Sequence, residues 1–582
     1  MNFFRDQEIA KKKTRKLVVL FLASVVATGA TLTFVVGYIF EVYMQSNTRG
    51  AYEPIDMWSN VDKHFLLFLV VCITILMATF YKILNLGKGG DYVARLLGAT
   101  PVKRANSDPD LKKYINIVEE MSIASGCPVP KIYIMEHETS INAFAAGYEI
   151  DDCIICVTRG AIEKLSRDEL QGVVAHEFSH IFNGDMKLSI KLIGYLFGLL
   201  ILTQVGRVIL QSGRYRTRSN RGKDGNGIVF VGLAFFIIGG IGYLLGSLIK
   251  SSISKQREYL ADASAVQFTR NPFGIGGALL KINKLIEGST IMANKAEEVS
   301  HLFFGAPMKM SFASHPSLEN RLKRIYPKKK WEEIEKMEVK YPEKRVQGPE
   351  KEKAEVNDIF NNDALKIATA GTVLSSLADR KDHIGEITEV NVEAAKNILN
   401  SIPFSIKDKI QTTDGAKQII LSFFNGTSEF RDSWRFAIFE VALGTLRELS
   451  LQEKKEFIKK AKKLVLEDQL ITPSEFIHYY IVKKMLLEDR GFYEKKISKS
   501  EAESSLLSLV EFTRGGLNND SFKFKPSEIA KALDTLSRGS LSVKERVLNK
   551  LIEVVNEDER ISVLEEEFIR LVCQGFRVPF PL

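Results

Sequence analysis

Four long apolar runs interrupt an otherwise polar chain. Residues 17–40, LVVLFLASVVATGATLTFVVGYIF, carry no charge, and at about 1.5 Å of rise per residue they span a hydrocarbon layer about 30 Å thick. The run is too long for the apolar core of a signal peptide, and no convincing small-residue cleavage site accompanies it, so it predicts an uncleaved transmembrane helix. Residues 65–81, 192–210 and 228–249 predict three more, and the membrane part reads as two helical hairpins. Arg207 interrupts the third run, where a shallow or re-entrant helix is the other reading.

The stretches between these runs differ in kind. The N-terminal tail and first hairpin occupy residues 1–86. Residues 87–191 and 250–327 read as two halves of one soluble domain, separated by the second hairpin at 192–249. Residues 328–355 are dense in alternating charge and contain proline, the mark of a linker or a solvated helix. Over 356–582, apolar residues recur at helical spacing in segments such as EFIKKAKKLVLEDQL and EFIHYYIVKKMLL, which predicts an all-α domain.

A chain of 582 residues, 45 % of them apolar, has material for several folded domains, which excludes disorder, collagen and a small disulfide scaffold. Lys plus Arg (80) exceeds Asp plus Glu (71) too mildly to argue for a nucleic-acid partner, and none is expected. The placement of the charges says more. Arg5, Lys11, Lys12, Lys13, Arg15 and Lys16 precede the first run, against Arg49 and Lys63 in the loop that follows, which puts the N-terminus in the cytoplasm. Four crossings return the C-terminus to the same side. The loop after the third run opposes this, because Arg214, Arg216, Arg218, Arg221 and Lys223 then lie outside. Five scattered cysteines, an odd number, fit a reducing compartment.

Candidate chemistry begins at Ser166 and Glu169, a capping-box pair that starts a helix. Along that helix His176 and His180 lie four residues apart, close to one 3.6-residue turn, so both imidazoles project from one face with Glu177 beside them. In this His-Glu-x-x-His pattern the two His bind zinc and the Glu acts on the attacking water. A pair of polar side chains on an exposed helix face is the plainer explanation. Val173, Val174, Ala175, Phe178 and Ile181 argue against it, since unpaired polar groups are costly to bury. Catalytic zinc takes a third protein ligand and keeps a position open for water. Glu258, in Arg257-Glu-Tyr-Leu-Ala-Asp262, is the candidate, with Asp262 one helical turn on and placed to accept the N–H of a ligating His. Two carboxylates on a solvated helix fit that spacing equally well.

These residues resemble a known family. The His-Glu-Phe-Ser-His helix ending in Asn183-Gly-Asp185, the Arg-Glu-x-x-Ala-Asp segment and His315-Pro-Ser-Leu-Glu-Asn-Arg321 are similar to the integral-membrane zinc metallopeptidases typified by the bacterial heat-shock protease HtpX and the CAAX prenyl endopeptidases. The likeness reaches upstream to Asn142-Ala-Phe-Ala145, similar to the family's edge strand, and covers roughly residues 87–327. It implies a mostly α membrane protein with four transmembrane helices, an α+β zincin-type domain with a small sheet, and one Zn2+ held by His176, His180 and Glu258 with Asp262 behind a ligating His. It also implies three catalytic residues. Glu177 would handle the proton, while His315 and Arg321 would face the cleft to polarise the scissile carbonyl or hold substrate; His315 is otherwise a turn residue before Pro316. Asn142, Ala143 and Ala145 become substrate-binding residues, because a peptide adds to a strand edge through main-chain hydrogen bonds. The implied setting is a bacterial inner membrane, with both soluble regions cytoplasmic and the lipid bilayer and membrane polypeptides as partners.

Weaker signals remain. Cys153-Ile-Ile-Cys156 reads as a buried strand rather than a second zinc site. Residues 451–582, with the acidic stretch from Asn556 to Ser562, loosely resemble the helical bundles of tellurite-resistance TerB-like domains; an EF-hand fails there because Arg560 and Ile561 stand where an oxygen ligand and a glycine are needed. The function expected is a zinc endopeptidase acting on membrane or membrane-proximal proteins, in protein quality control. The alternative is a membrane-anchored scaffold or regulator with a structural zinc site, whose C-terminal helices bind a protein partner. A transporter is disfavoured, since the apolar runs show no paired repeats.

Overall fold

The structure is a computed structural model and describes residues 3–47, 61–87, 89–106, 108–216, 225–285, 288–293, 302–305, 315–342, 389–424, 430–467, 471–487, 497–517, 522–557 and 561–580. Along the chain run α1 (Phe3–Asn47), α2 (Val61–Leu86), α3 (Gly90–Leu96), β1 (Thr100–Pro101), α4 (Pro109–Ser125), β2 (Lys131–Met135), β3 (Ala143–Ala146), β4 (Ile154–Thr158), α5 (Arg159–Lys164), α6 (Arg167–Phe182), α7 (Asp185–Arg216), α8 (Gly225–Thr269), α9 (Pro272–Lys284), α10 (Leu318–Ile325) and α11 (Trp331–Glu335). Ten further helices follow: α12 (Glu389–Ser401), α13 (Phe404–Gln411), α14 (Thr413–Phe424), α15 (Asp432–Leu446), α16 (Leu451–Val465), α17 (Pro473–Leu487), α18 (Lys499–Gly516), α19 (Pro526–Ser537), α20 (Leu541–Val555) and α21 (Val563–Phe576).

Four helices are long and apolar enough to cross a membrane, with spans Val18–Val42, Val61–Leu86, Asp185–Ser212 and Val229–Leu248. Between them Leu32, Ile75, Leu199 and Leu202 are buried, while Phe34, Phe65, Met77, Phe80 and Leu245 project outward as a lipid-facing surface would require. Small residues let α2 and α7 approach closely: a Cβ on Gly198 would meet the Thr79 hydroxyl at 1.9 Å, and one on Gly194 would meet Ile83 at 2.3 Å. The third apolar run is part of one continuous 32-residue helix, so it is a full-length candidate span despite exposed Arg207. That span starts at Asp185, ahead of the expected 192, because the polar first turns of α7 are already helical. The basic loop residues 218, 221 and 223 lie outside the described residues, as do Arg49, residues 343–355 of the expected linker and residues 558–560 of the acidic stretch.

Residues 100–158 form a four-stranded sheet in the order β1-β2-β4-β3, with β2 and β4 parallel and β3 antiparallel to β4. Strand β3 therefore stands at an edge. Ala143, Ala145, Ile155 and Val157 share a core with Val173, Val174 and Phe178 of α6, whereas Phe144, Cys156 and Tyr133 belong to a second cluster with Val93 and Ala94 of α3. Cys156 is a buried free thiol in β4, as expected of a strand, and Cys153, also buried and free, lies just before it; burial pushes the Cys156 thiol well above its usual range.

The C-terminal helices do not stand apart from this core. Helix α12 packs on α4, and one apolar cluster runs from Tyr114 and Ile117 of α4 to Ile438, Phe439 and Phe568. Polar links cross the same junction. Arg104 lies 3.2 Å from both Glu119 and Glu448, and Nη1 of Arg447 donates to the Val129 carbonyl at 3.2 Å.

Candidate metal centre

Local signals place the first two side chains. The Ser166 hydroxyl accepts from the Glu169 amide and the Glu169 carboxylate accepts from the Ser166 amide, so α6 begins where the capping box predicts. It ends at Asn183, where Gly184 takes a left-handed φ of 65° and lets the chain turn directly into α7. Asp185, at the start of α7, lies beside the last turn of α6. Helix α8 leaves the membrane and continues unbroken to Thr269, carrying Glu258 and Asp262 on one side, one turn apart.

The ligand atoms of His176, His180 and Glu258 all lie within 4.8 Å of one another, and this is the one such group among the described residues. The two Nε2 atoms are 3.2 Å apart, and each lies 3.7 Å from a Glu258 carboxylate oxygen. In a tetrahedral zinc site with bonds near 2.0–2.1 Å, neighbouring ligand atoms stand about 3.3 Å apart, so the three groups fit one zinc-sized cation. The far nitrogens agree with this. Nδ1 of His176 lies 3.0 Å from Asp262 and Nδ1 of His180 lies 2.9 Å from Asp185, an arrangement that leaves both Nε2 lone pairs turned inward. Asp185 is a partner that spacing alone did not single out, although it closes the Asn-Gly-Asp segment.

Electrostatics follow from burial. Desolvation lowers the His176 pKa to about 4 against the opposing pull of Asp262, so the ring is neutral at pH 7 and able to ligate. Burial also opposes charge on His180, but Asp185 and Glu258 outweigh it and raise its affinity for a proton. For Glu258 burial again works against the charged form, yet His315, Arg321 and His176 prevail and hold the carboxyl well below its usual range. Glu177 differs. Burial raises its pKa to about 7 despite nearby His180 and a backbone contact from Ala145 that favours the charged form. A buried carboxyl with a raised pKa beside the metal-ligand cluster marks a group held ready for chemistry rather than for packing.

A model of Peptidase family M48 matches residues 109–328, which contain this whole centre. The chain is 34 % identical over 324 residues to "Protease HtpX homolog" of Caldanaerobacter subterraneus subsp. tengcongensis, covering 54 % of this chain and 94 % of that one. The protein of the same name from Listeria monocytogenes is 33 % identical over 312 residues, covering 51 % and 95 %. The chain belongs to the HtpX-type M48 metallopeptidases. With its four candidate spans it is a multi-pass membrane metalloprotease of that family. The one from Bacteroides fragilis is 31 % identical over 307 residues, covering 50 % and 89 %. No solved structure matches the chain. Helices α12 to α21 lie beyond the M48 match.

Within this M48 centre the other expected residues take definite places. His315 is buried, with Nδ1 3.3 Å from Glu258. Arg321 is buried too, and its guanidinium grips Asp262 through Nε (2.8 Å) and Nη2 (2.6 Å) while Nη1 donates to the Phe304 carbonyl at 2.6 Å. Burial disfavours its charge, but Asp262 more than compensates and raises its pKa. The expected open edge at β3 is partly filled. Phe303 bridges Phe144, and the Phe304 amide donates to the Ala143 carbonyl at 2.7 Å. Asn142 spends its side-chain amide on Ser289 and Gly305, donating to their carbonyls at 2.7 and 3.2 Å. Ala145 remains beside the cluster and lines a cavity with His180 and Glu258.

Proposed function

We propose that this protein is a zinc-dependent endopeptidase of a bacterial inner membrane, with the centre and the C-terminal helices on the cytoplasmic side. Its substrates are membrane or membrane-proximal polypeptides, cleaved in protein quality control. The observation that carries this reading is the convergence of His176, His180 and Glu258 beside the buried carboxyl of Glu177, at the foot of the α7–α8 hairpin.

Zinc held by His176, His180 and Glu258 would supply Lewis acidity, polarising the scissile carbonyl and making the attacking water more acidic. Glu177 accepts the proton of that water as its oxygen attacks the carbonyl carbon, and then delivers it to the leaving amine nitrogen. A pKa near 7 suits both halves of that transfer. Asp262 and Asp185 orient the two imidazoles. His315, next to Glu258, would serve the substrate carbonyl. Arg321 acts as a positioning residue that fixes Asp262, since its donors are already committed within the protein. Ala145 offers the substrate what remains of the β3 edge, since the Ala143 carbonyl is taken by Phe304 and its amide by the Asn142 side chain, and Asn142 holds that edge in shape.

The test is Glu177→Gln in the full chain, purified in detergent and loaded with zinc. Zinc content and Tm are expected to match wild type, while peptide cleavage falls about 10² to 10⁴-fold. Wild-type cleavage rates in the zinc-loaded variant would overturn the mechanism. His176→Ala is expected to lose zinc as well as activity, whereas a scaffold with structural zinc would show no cleavage in any form.

A further inference from the structure

The chain beyond α21 turns back onto the catalytic region. Arg577 caps that helix at a left-handed φ of 58°, a conformation that favours glycine. The Val578 amide donates to the Cys573 carbonyl and the Arg577 amide to the Gln574 carbonyl, both at 2.9 Å, which is the Schellman closure of a helix end. Val578 and Phe580 are buried in the shared core, and the Phe580 backbone crosses Gly126 so closely that a Cβ there would meet its carbonyl oxygen at 1.8 Å. The Arg577 guanidinium is thereby brought to the catalytic region, with Nη2 3.1 Å from Asp151.

Asp151 lies in a single helical turn, Ile150–Asp152, between β3 and β4. That turn is tied together internally, because Oδ1 of Asp152 accepts from the amides of Tyr148 and Glu149 at 2.7 and 2.8 Å. It also grips α7. Glu149 lies 2.9 Å from Nζ of Lys187, the same ammonium sits 4.5 Å from the centre of the Tyr148 ring, and Sγ of Cys153 is 3.7 Å from Sδ of Met186. Met186 and Lys187 follow directly on Asp185, whose carboxylate is 2.9 Å from Nδ1 of His180. We propose that Arg577 is a positioning residue for the metal centre: through Asp151 it holds the 148–153 turn against the first turn of α7, and so keeps the Asp185 carboxylate on His180. This role rests on the zinc reading of the centre and gives the C-terminal helices a part in metal binding. A histidine ligand binds metal best when a fixed acceptor orients its far nitrogen, so loosening that acceptor lowers affinity.

The experiment measures zinc affinity of the full chain in detergent by competition with a chromophoric chelator, beside Tm. Arg577→Gln and Asp151→Asn are each expected to weaken zinc binding about three- to ten-fold, less than loss of a direct partner of a ligating His. Arg577→Lys should retain most of the affinity, and exchanging the charges, Asp151→Arg with Arg577→Asp, should restore it. Glu149→Gln should reproduce the loss, and combined with Arg577→Gln it should add little, because both changes break one line of contacts. Arg514→Ala, which removes an exposed pair with Glu557 elsewhere in the helical region, should leave zinc affinity unchanged. Variants that lower Tm while zinc affinity stays at the wild-type value would show a merely structural pair and overturn the assignment. Losses at Arg577 and Glu149 that multiply would overturn it too, since the two would then act independently. If wild type itself binds no zinc, the zinc reading falls and this role with it.

Discussion

Oδ1 of Asp262 lies 3.0 Å from Nδ1 of His176, and the same oxygen is 2.6 Å from Nη2 of Arg321. One buried carboxylate thus ties a histidine on α6 to an arginine on α10. The imidazole is fixed with its Nε2 turned towards Glu258 and His180.

Asp262→Asn should therefore weaken zinc binding about 10 to 100-fold, because the neutral amide orients the imidazole less firmly and no longer balances Arg321. Competition against a chromophoric chelator measures this. Unchanged zinc affinity would mean that His176 is oriented by packing alone.

The polar junction between α4 and the C-terminal helices gives a stability prediction. Arg104→Ala leaves Glu119 buried without its cationic partner, a change that costs about 3–5 kcal/mol for a broken buried pair. A lowered Tm in the full chain is expected. Likewise, a protease site inserted at Gly348 and cut in the folded protein should yield two fragments that co-elute, because the apolar cluster is continuous from α4 to α21. Separation of the fragments on a sizing column would show that this junction is weak.

Glu440 on α15 predicts how stability varies with pH. Burial raises its pKa to about 7 from 4.5, against the pull of Arg447 and Arg570. Below pH 4.5 the group is protonated whether folded or unfolded, and it contributes no pH dependence. Between 4.5 and 7 the unfolded chain releases the proton that the folded one keeps, so stability falls as pH rises and levels off above 7. The total is of the order of 3 kcal/mol. Glu440→Gln should flatten the Tm profile in that window; an identical slope in both proteins would assign the dependence elsewhere.

Orientation in the membrane rests on the basic N-terminal tail. A reporter fused after Leu582 should be cytoplasmic and one inserted at Asn220 external. Finding both on one side would contradict a simple α7–α8 crossing.

Much of this protein is legible along the chain because its signals are local. Four apolar runs specify helices, since a backbone in lipid must satisfy its own hydrogen bonds. Ser166 and Glu169 set the start of α6, and a four-residue interval places His176 and His180 on one face. Tertiary structure decided what sequence spacing could not, because the remaining contacts join residues far apart in the chain. It brought Glu258 to the two histidines across the whole second hairpin, turned Asp185 back on His180, and committed Arg321 to Asp262. It also laid Phe303 and Phe304 along the β3 edge that the sequence leaves open. The charged segment before the C-terminal helices marks a break in composition, but not the docking of α12 and α15 against the catalytic region, because the pattern of a buried helix face is the same whichever surface covers it.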